Sequence, residues 1–135
     1  MNFISDFFIY EVDFTAGIAA GTTGNSSFTV QADSDFKLLK TCYFADIAVG
    51  ALTDSTRIVP LATVLITDQG SGRQLMSAAT PIPNIFGTGQ IPFILPVPKI
   101  FAAKSTVGVS VVNFSAASTY NIRLSFIGVK LFKQG

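Results

Sequence analysis

The chain has no histidine, no tryptophan and one cysteine, Cys42. Those absences remove most of the chemistry available to a small protein. A serine nucleophile needs a base beside it, and without histidine the remaining choices are a lysine or an N-terminal amine, neither set near a nucleophile elbow. A zinc centre fails for want of its usual ligands. One cysteine excludes an internal disulfide. Cys42 lies between Thr41 and Tyr43 in an apolar run, the setting of a buried, inert thiol; a reactive one would want cationic neighbours, and only Lys40 is near in sequence.

Charge is scarce as well. Nine Lys and Arg against eight Asp and Glu leave a net charge of +1, and neither sign clusters. Nucleic acid and anionic lipid are therefore not expected as partners. Gly17-Ile18-Ala19-Ala20-Gly21-Thr22-Thr23-Gly24 has glycines without the spacing of a phosphate loop, and no lysine follows them. Asp33 and Asp35 bring two carboxylates to one turn, fewer oxygens than Ca²⁺ takes, so they read as caps of that turn. Asp68, ahead of Gly70-Ser71-Gly72, reads as an Asx turn with an ion pair to Arg73. The sequons at Asn25 and Asn113 matter only in a secreted chain, and residues 1–10 lack the basic, apolar and small-residue regions of a secretory signal. The expectation is a protein with no catalytic residues, no metal and no cofactor, and so not an enzyme.

What is abundant is apolar surface: 49% of the residues are hydrophobic and thirteen are Phe. None of it forms a membrane helix. The longest uncharged stretch, residues 74–98, contains Pro81, Pro83, Pro92, Pro96 and Pro98, whose missing amides and fixed φ preclude one. Apolar surface beyond what one core can bury implies an interface, so a homo-oligomer, dimer or trimer, is expected. Sixteen aromatic residues would also suit base stacking, but nucleic-acid platforms interleave such rings with Lys and Arg, and the first basic residue is Lys37.

The periodicity is two nearly everywhere, which predicts an all-β chain. In residues 120–126, Tyr120, Ile122, Leu124 and Phe126 share one face, and Asn121, Arg123 and Ser125 the other. Gly128 interrupts the run and predicts a bulge or the close approach of another backbone. Residues 106–113 place Val107, Val109 and Val111 on one face, and the small residues 115–118 predict a hairpin with the strand that follows. Residues 57–67 form a β-branched run returned by the 68–72 turn through 73–76; 36–48 is a long extended stretch; 27–31 is a short strand; and 6–14 alternates Phe8, Tyr10, Val12 and Phe14. Residues 16–27 read as a flexible loop and 78–104 as an extended Pro-rich loop. Residues 1–135 thus make a single domain, an antiparallel jelly roll or β-sandwich of about six to eight strands, with residues 1–14 as an N-terminal arm or first strand.

Gln31-Ala32-Asp33-Ser34-Asp35-Phe36, Ile66-Thr67-Asp68 leading into Gly70-Ser71-Gly72-Arg73 and Leu75, Leu95-Pro96-Val97-Pro98 with Phe101, and the closing run from Tyr120 to Leu131 together form a pattern. From Gln31 onward the chain resembles small structural proteins of tailed bacteriophages, and among them the jelly-roll cement, or decoration, proteins. The resemblance implies a virion protein, made in the host cytoplasm, that sits on the capsid exterior. It would dimerise or trimerise over symmetry axes and clamp the major capsid protein against internal pressure. Such proteins make contact through termini and long loops. With the apolar surplus, that points to Phe3, Ile4, Phe7 and Phe8 at the start and to Ile91, Phe93, Leu95, Val97, Ile100 and Phe101 in the Pro-rich stretch. The alternative is a jelly-roll receptor-binding or carbohydrate-binding module of a head fibre or tail, disfavoured by the absence of Trp and the count of three Tyr.

Overall fold

A computed structural model describes residues 3–14, 17–47 and 58–133. The chain runs β1 Phe3–Asp13, β2 Thr23–Thr29, β3 Asp35–Asp46, β4 Ala62–Asp68, β5 Arg73–Gln74, β6 Thr80–Pro81, a one-turn helix Ile82–Ile85, β7 Phe93–Phe101, β8 Thr106–Asn113 and β9 Asn121–Lys133. Two antiparallel sheets face each other, one of four strands in the order β1-β9-β3-β7, the other β2-β8-β4-β5 with β6 beside β4. The pairing has a simple logic. β1 takes β9, β2 takes β8, β3 takes β7, and β4 takes β5 and β6, so the chain is a single antiparallel ribbon closed at the 68–72 turn and rolled on itself. Rolling brings β9 against β3 and β8 against β4, which is the connectivity of a jelly roll. The fold is thus an all-β sandwich, and the two-residue strands β5 and β6 take the count above about six to eight.

Several expected boundaries move. Residues 106–113 and 120–126 do not form a hairpin: β8 lies in one sheet and β9 in the other. Asn113 explains the departure. Its fully buried side chain donates from Nδ2 to the carbonyls of Ile18 (2.8 Å) and Ser118 (2.9 Å) and accepts the Ser115 N–H (2.8 Å) at Oδ1, so the chain is turned across the core. Part of the flexible loop read over 16–27 is β2, which begins at Thr23, takes in the first three residues of the strand read over 27–31 and ends at Thr29. The stretch 78–104 is not one loop: it holds β6, a helical turn and β7, with loop remaining over 86–92 and 102–104. Its prolines fit a sheet edge: the β3–β7 register breaks between Leu38 and Lys40 on β3, and Pro96 and Pro98 sit where β7 has no paired residue. Residues 3–13 are a strand along their whole length rather than an arm.

The alternations in β8 and β9 hold. Val107, Val109 and Val111 are buried in one sheet, Ile122, Leu124 and Phe126 in the other. The core between them is asymmetric. The four-stranded sheet supplies the rings of Tyr10, Phe36, Phe101 and Phe126, whereas the facing strands supply Ala62, Val64, Ile66 and the three β8 valines, with Phe28 as their single ring. Phe28 stacks on Tyr10 (centroids 4.9 Å, 17°) and meets Phe126 at 4.9 Å. Past Gly128 the parity of β9 continues inward, so Lys130 is buried. It pairs with Asp33 (3.3 Å), donates to Gln31 Oε1 and lies over the Phe8 ring (4.2 Å).

Gly128 marks a close backbone approach. A Cβ there would stand 2.0 Å from the Lys37 carbonyl oxygen, beside the irregularity in β3, and backbone cannot yield as a side chain can. Gly128→Ala is expected to lower stability by about 2–4 kcal/mol in urea unfolding. Asn113→Ala is expected to lose about 2–3 kcal/mol in the same measurement, because it leaves two carbonyls and an amide in need of partners.

Candidate functional site

The outer faces of the two sheets differ in chemistry. In the five-stranded sheet the outward residues of β2, β8 and β4 are Thr23, Asn25, Ser27, Thr29, Thr106, Ser110, Thr63 and Thr67, with Leu65 and Val112 among them. That face is hydroxyl-rich and suits water. In the four-stranded sheet, residues opposite one another share a face, so the registers define its outer rows. One row runs Phe7, Val129, Lys37, Ile100; the next runs Ile9, Ile127, Lys40, Ile94. Leu131 extends the apolar centre along β9. Phe7 is 70% exposed, Ile94 65%, Ile100 51% and Ile9 39%. Polar groups close the far end of the face, where Arg123 pairs with Asp13 at 3.4 Å and Ser125 donates to Glu11. Exposed apolar rows of this kind mark a candidate contact surface, and each row is crossed by one lysine, Lys37 or Lys40, on β3. Lysine stems are long enough to lie over apolar neighbours while the charge stays in water.

The residues expected to form an interface separate into groups. Phe7 and Ile100 lie on the apolar face. Ile91, in the turn before β7, and Val97, in its unpaired stretch, are exposed beside it. Phe93 and Leu95 point the other way and line an inter-sheet cleft with Leu38, Ile66, Met76 and Phe86. Phe8 is half-buried against Tyr10 and Lys130. Phe101 is fully buried in the core and is withdrawn from the interface: it closes β7 opposite Phe36 and meets Phe28 edge-on. The backbones of Phe3 and Ile4 belong to β1, while their side chains, and Met1 and Asn2 whole, lie outside the described residues.

Five residues of the face escaped the sequence reading: Ile9, Ile94, Ile127, Val129 and Leu131. A signal for Ile9, Ile127 and Val129 exists in the unbroken apolar runs Phe7-Phe8-Ile9-Tyr10 and Phe126-Ile127-Gly128-Val129, which belong to strands apolar on both faces.

The polar candidates have structural partners. Asp33 holds Lys130, Asp35 Oδ1 accepts the Ala103 N–H at 3.0 Å, and Asp68 Oδ1 accepts the Gly70 N–H at 3.1 Å in an Asx turn. The ion pair expected between Asp68 and Arg73 does not form; the ion pairs among the described residues are Arg123–Asp13 and Lys130–Asp33. Among the described residues no three His, Cys, Asp or Glu converge to hold a metal, and no helix is long and apolar enough to cross a membrane. Asn113 of the second sequon is buried with its Nδ2 engaged, so the folded chain cannot present it for modification. Cys42 is buried beneath the 86–92 segment, with Sγ 3.5 Å from the Thr88 carbonyl. Burial pushes its thiol up, against the smaller opposing pull of Lys40.

No family model and no curated protein matches this chain. Among solved structures, the dimeric latent PorU of Porphyromonas gingivalis aligns over 96% of this chain and 13% of that one, at 8% identity and a TM-score of 0.40. That likeness is too slight to bear on function.

Cys42 should react with iodoacetamide at least about tenfold more slowly in the native protein than in urea. The sign of its pH effect follows from the raised value. The native state keeps a proton that the unfolded thiol releases, so stability should fall as pH rises beyond the ordinary thiol range, and Cys42→Ala should flatten that slope in alkaline unfolding curves.

Proposed function

We propose that this protein is a non-enzymatic structural protein that adheres to a larger assembly through the outer face of its four-stranded sheet. The surface it covers, on this reading, is the outside of a bacteriophage capsid built from a major capsid protein. One observation carries the proposal: the apolar rows of Phe7, Ile9, Ile94, Ile100 and the β9 residues between them, on a sheet whose other face is already filled by the core. Supporting it are the jelly-roll connectivity that the cement-protein resemblance implies and the scarcity of catalytic residue types. The contact surface differs from the one sequence suggested. It lies on a rigid sheet face, with Ile91 and Val97 at its margin, rather than on a free arm and a loop.

A rigid face suits a clamp, because little conformational freedom is lost on docking. A standard interface removes about 1,600 Å² from water in total. On a closed shell the contact repeats many times, and a homo-oligomer that grips several sites at once detaches only when all open together. Modest single contacts then suffice. The protein would be made in the host cytoplasm and reside on the virion exterior.

Purified heads carrying the protein should survive heating to a higher temperature than heads without it. Ile94 and Ile100 lie exposed on the edge strand β7, and Ile94→Glu and Ile100→Glu are each expected to weaken head binding by about 30-fold or more without altering the cooperative unfolding of the protein. Unchanged head stability together with reduced host adsorption would replace this reading with the receptor-binding one.

A further inference from the structure

We propose that β1 is a pairing edge, and that its partner is β1 of a second copy, joined antiparallel about a two-fold axis centred on Phe8. The inference rests on the homo-oligomeric part of the reading above and is independent of what the apolar face covers.

The four-stranded sheet ends in β1 on one side and β7 on the other. The two edges are built differently. β7 carries Pro96 and Pro98 in an unpaired, irregular stretch, devices that prevent another strand from adding. β1 is eleven residues long, contains no proline, glycine or lysine, and keeps an unbroken register with β9 from Phe3 to Asp13. On the other sheet the edge strand β2 is seven residues long, with Gly24 in it and Thr, Ser and Asn outward.

The backbone groups that face the open side of β1 follow from its register. Phe14 N–H donates to the Ile122 carbonyl at 2.7 Å, one step beyond the ladder of β1 and β9. In an antiparallel pair consecutive residues alternate in direction, so the even residues of β1 bond β9. The amides and carbonyls of Ser5, Phe7, Ile9 and Glu11 therefore point to the open edge, beside the exposed side chains of Phe7 and Ile9.

A second copy of the same strand fits this edge by length, charge and hydrophobicity together. A two-fold centred on Phe8 overlaps residues 3–13 of both copies completely. It sets Phe7 opposite the partner's Ile9 and Ile9 opposite the partner's Phe7, covering the apolar pair nearest the edge. No like charges meet: Asp6 faces Tyr10, and Glu11 faces Ser5. Centring on Ile9 instead would place Phe7 against Glu11 and shorten the overlap. The product is a continuous eight-stranded sheet in which the outer apolar rows of both copies run together.

The test uses the whole protein. Sedimentation at micromolar concentration should give a dimer. Ile9→Pro removes an amide that faces the open edge and none that bonds β9, so it should weaken self-association at least about 100-fold while cooperative unfolding persists. In a Cys42→Ala background, Phe8→Cys places thiols opposite each other in a non-hydrogen-bonded pair, about 4.5 Å apart at Cα, and should form an intersubunit disulfide on mild oxidation. A trimer, a dimer indifferent to Ile9→Pro, or a cysteine at position 8 that does not cross-link would overturn the edge pairing and leave a homo-oligomer of another geometry. A monomer would overturn both. If Ile9→Pro fails to fold, cross-linking at position 8 decides.

Discussion

The gap between the two sheets is filled mainly from one side, and the rest of the molecule follows from that constraint. Sheets packed face to face stand about 10 Å apart, room for large side chains from one of them over small ones from the other. Here Tyr10, Phe36, Phe101 and Phe126 descend from the four-stranded sheet onto a floor of Ala62, Val64, Val107, Val109 and Val111. Phe28 alone rises from the floor, and it is accommodated by stacking on Tyr10 rather than by opposing a ring head-on. A second ring from β8 or β4 would push the sheets apart. Those strands are therefore held to small and β-branched residues inside, while their outer hydroxyls remain in water.

How much of this was legible depended on whether a strand faces water on one side. β8 alternates valine with small polar residues, and its inward face can be named from sequence because its outward face differs. β1 and β9 are apolar on both faces over Phe7 to Tyr10 and Phe126 to Val129, so alternation identifies the strands but cannot say which residues are core. The same ambiguity put Phe101 among the interface candidates, although it is core, and left out Ile94, although it is exposed. Local chemistry served better at turns: the Asx turn at Asp68 closes the ribbon where its sequence said it would. Pairing partners beyond that turn were not legible. β1 and β9 lie at opposite ends of the chain, and nothing local encodes their register. Prolines misled over 78–104 because their meaning depends on position, excluded from a central strand yet compatible with the unpaired part of an edge.

The apolar surplus also has a definite address. Hydrophobic residues scattered over a surface carry no message, but apolar rows on the outer face of one sheet, beside a partner sheet with a polar exterior, are what the proposed docking reading would cover. The core covers one face. Lys37 and Lys40 interrupt the other face on β3, each between an isoleucine of β7 and an apolar residue of β9, so a partner covering the whole face would have to meet or solvate their charges.

Edges decide whether such a protein assembles finitely. A strand that adds to a sheet leaves a new edge, and a molecule with two open edges on one sheet can add copies without limit. Closing β7 with prolines and leaving β1 open gives the four-stranded sheet a single place to pair. Antiparallel pairing of identical strands about a two-fold consumes that place in both molecules at once, so growth stops at two. The apolar outer faces then lie side by side on one surface, pointing the same way, where a single underlying lattice can meet both. On the proposed pairing, a two-fold built this way would turn an open edge into a self-limiting dimer and present two docking faces together.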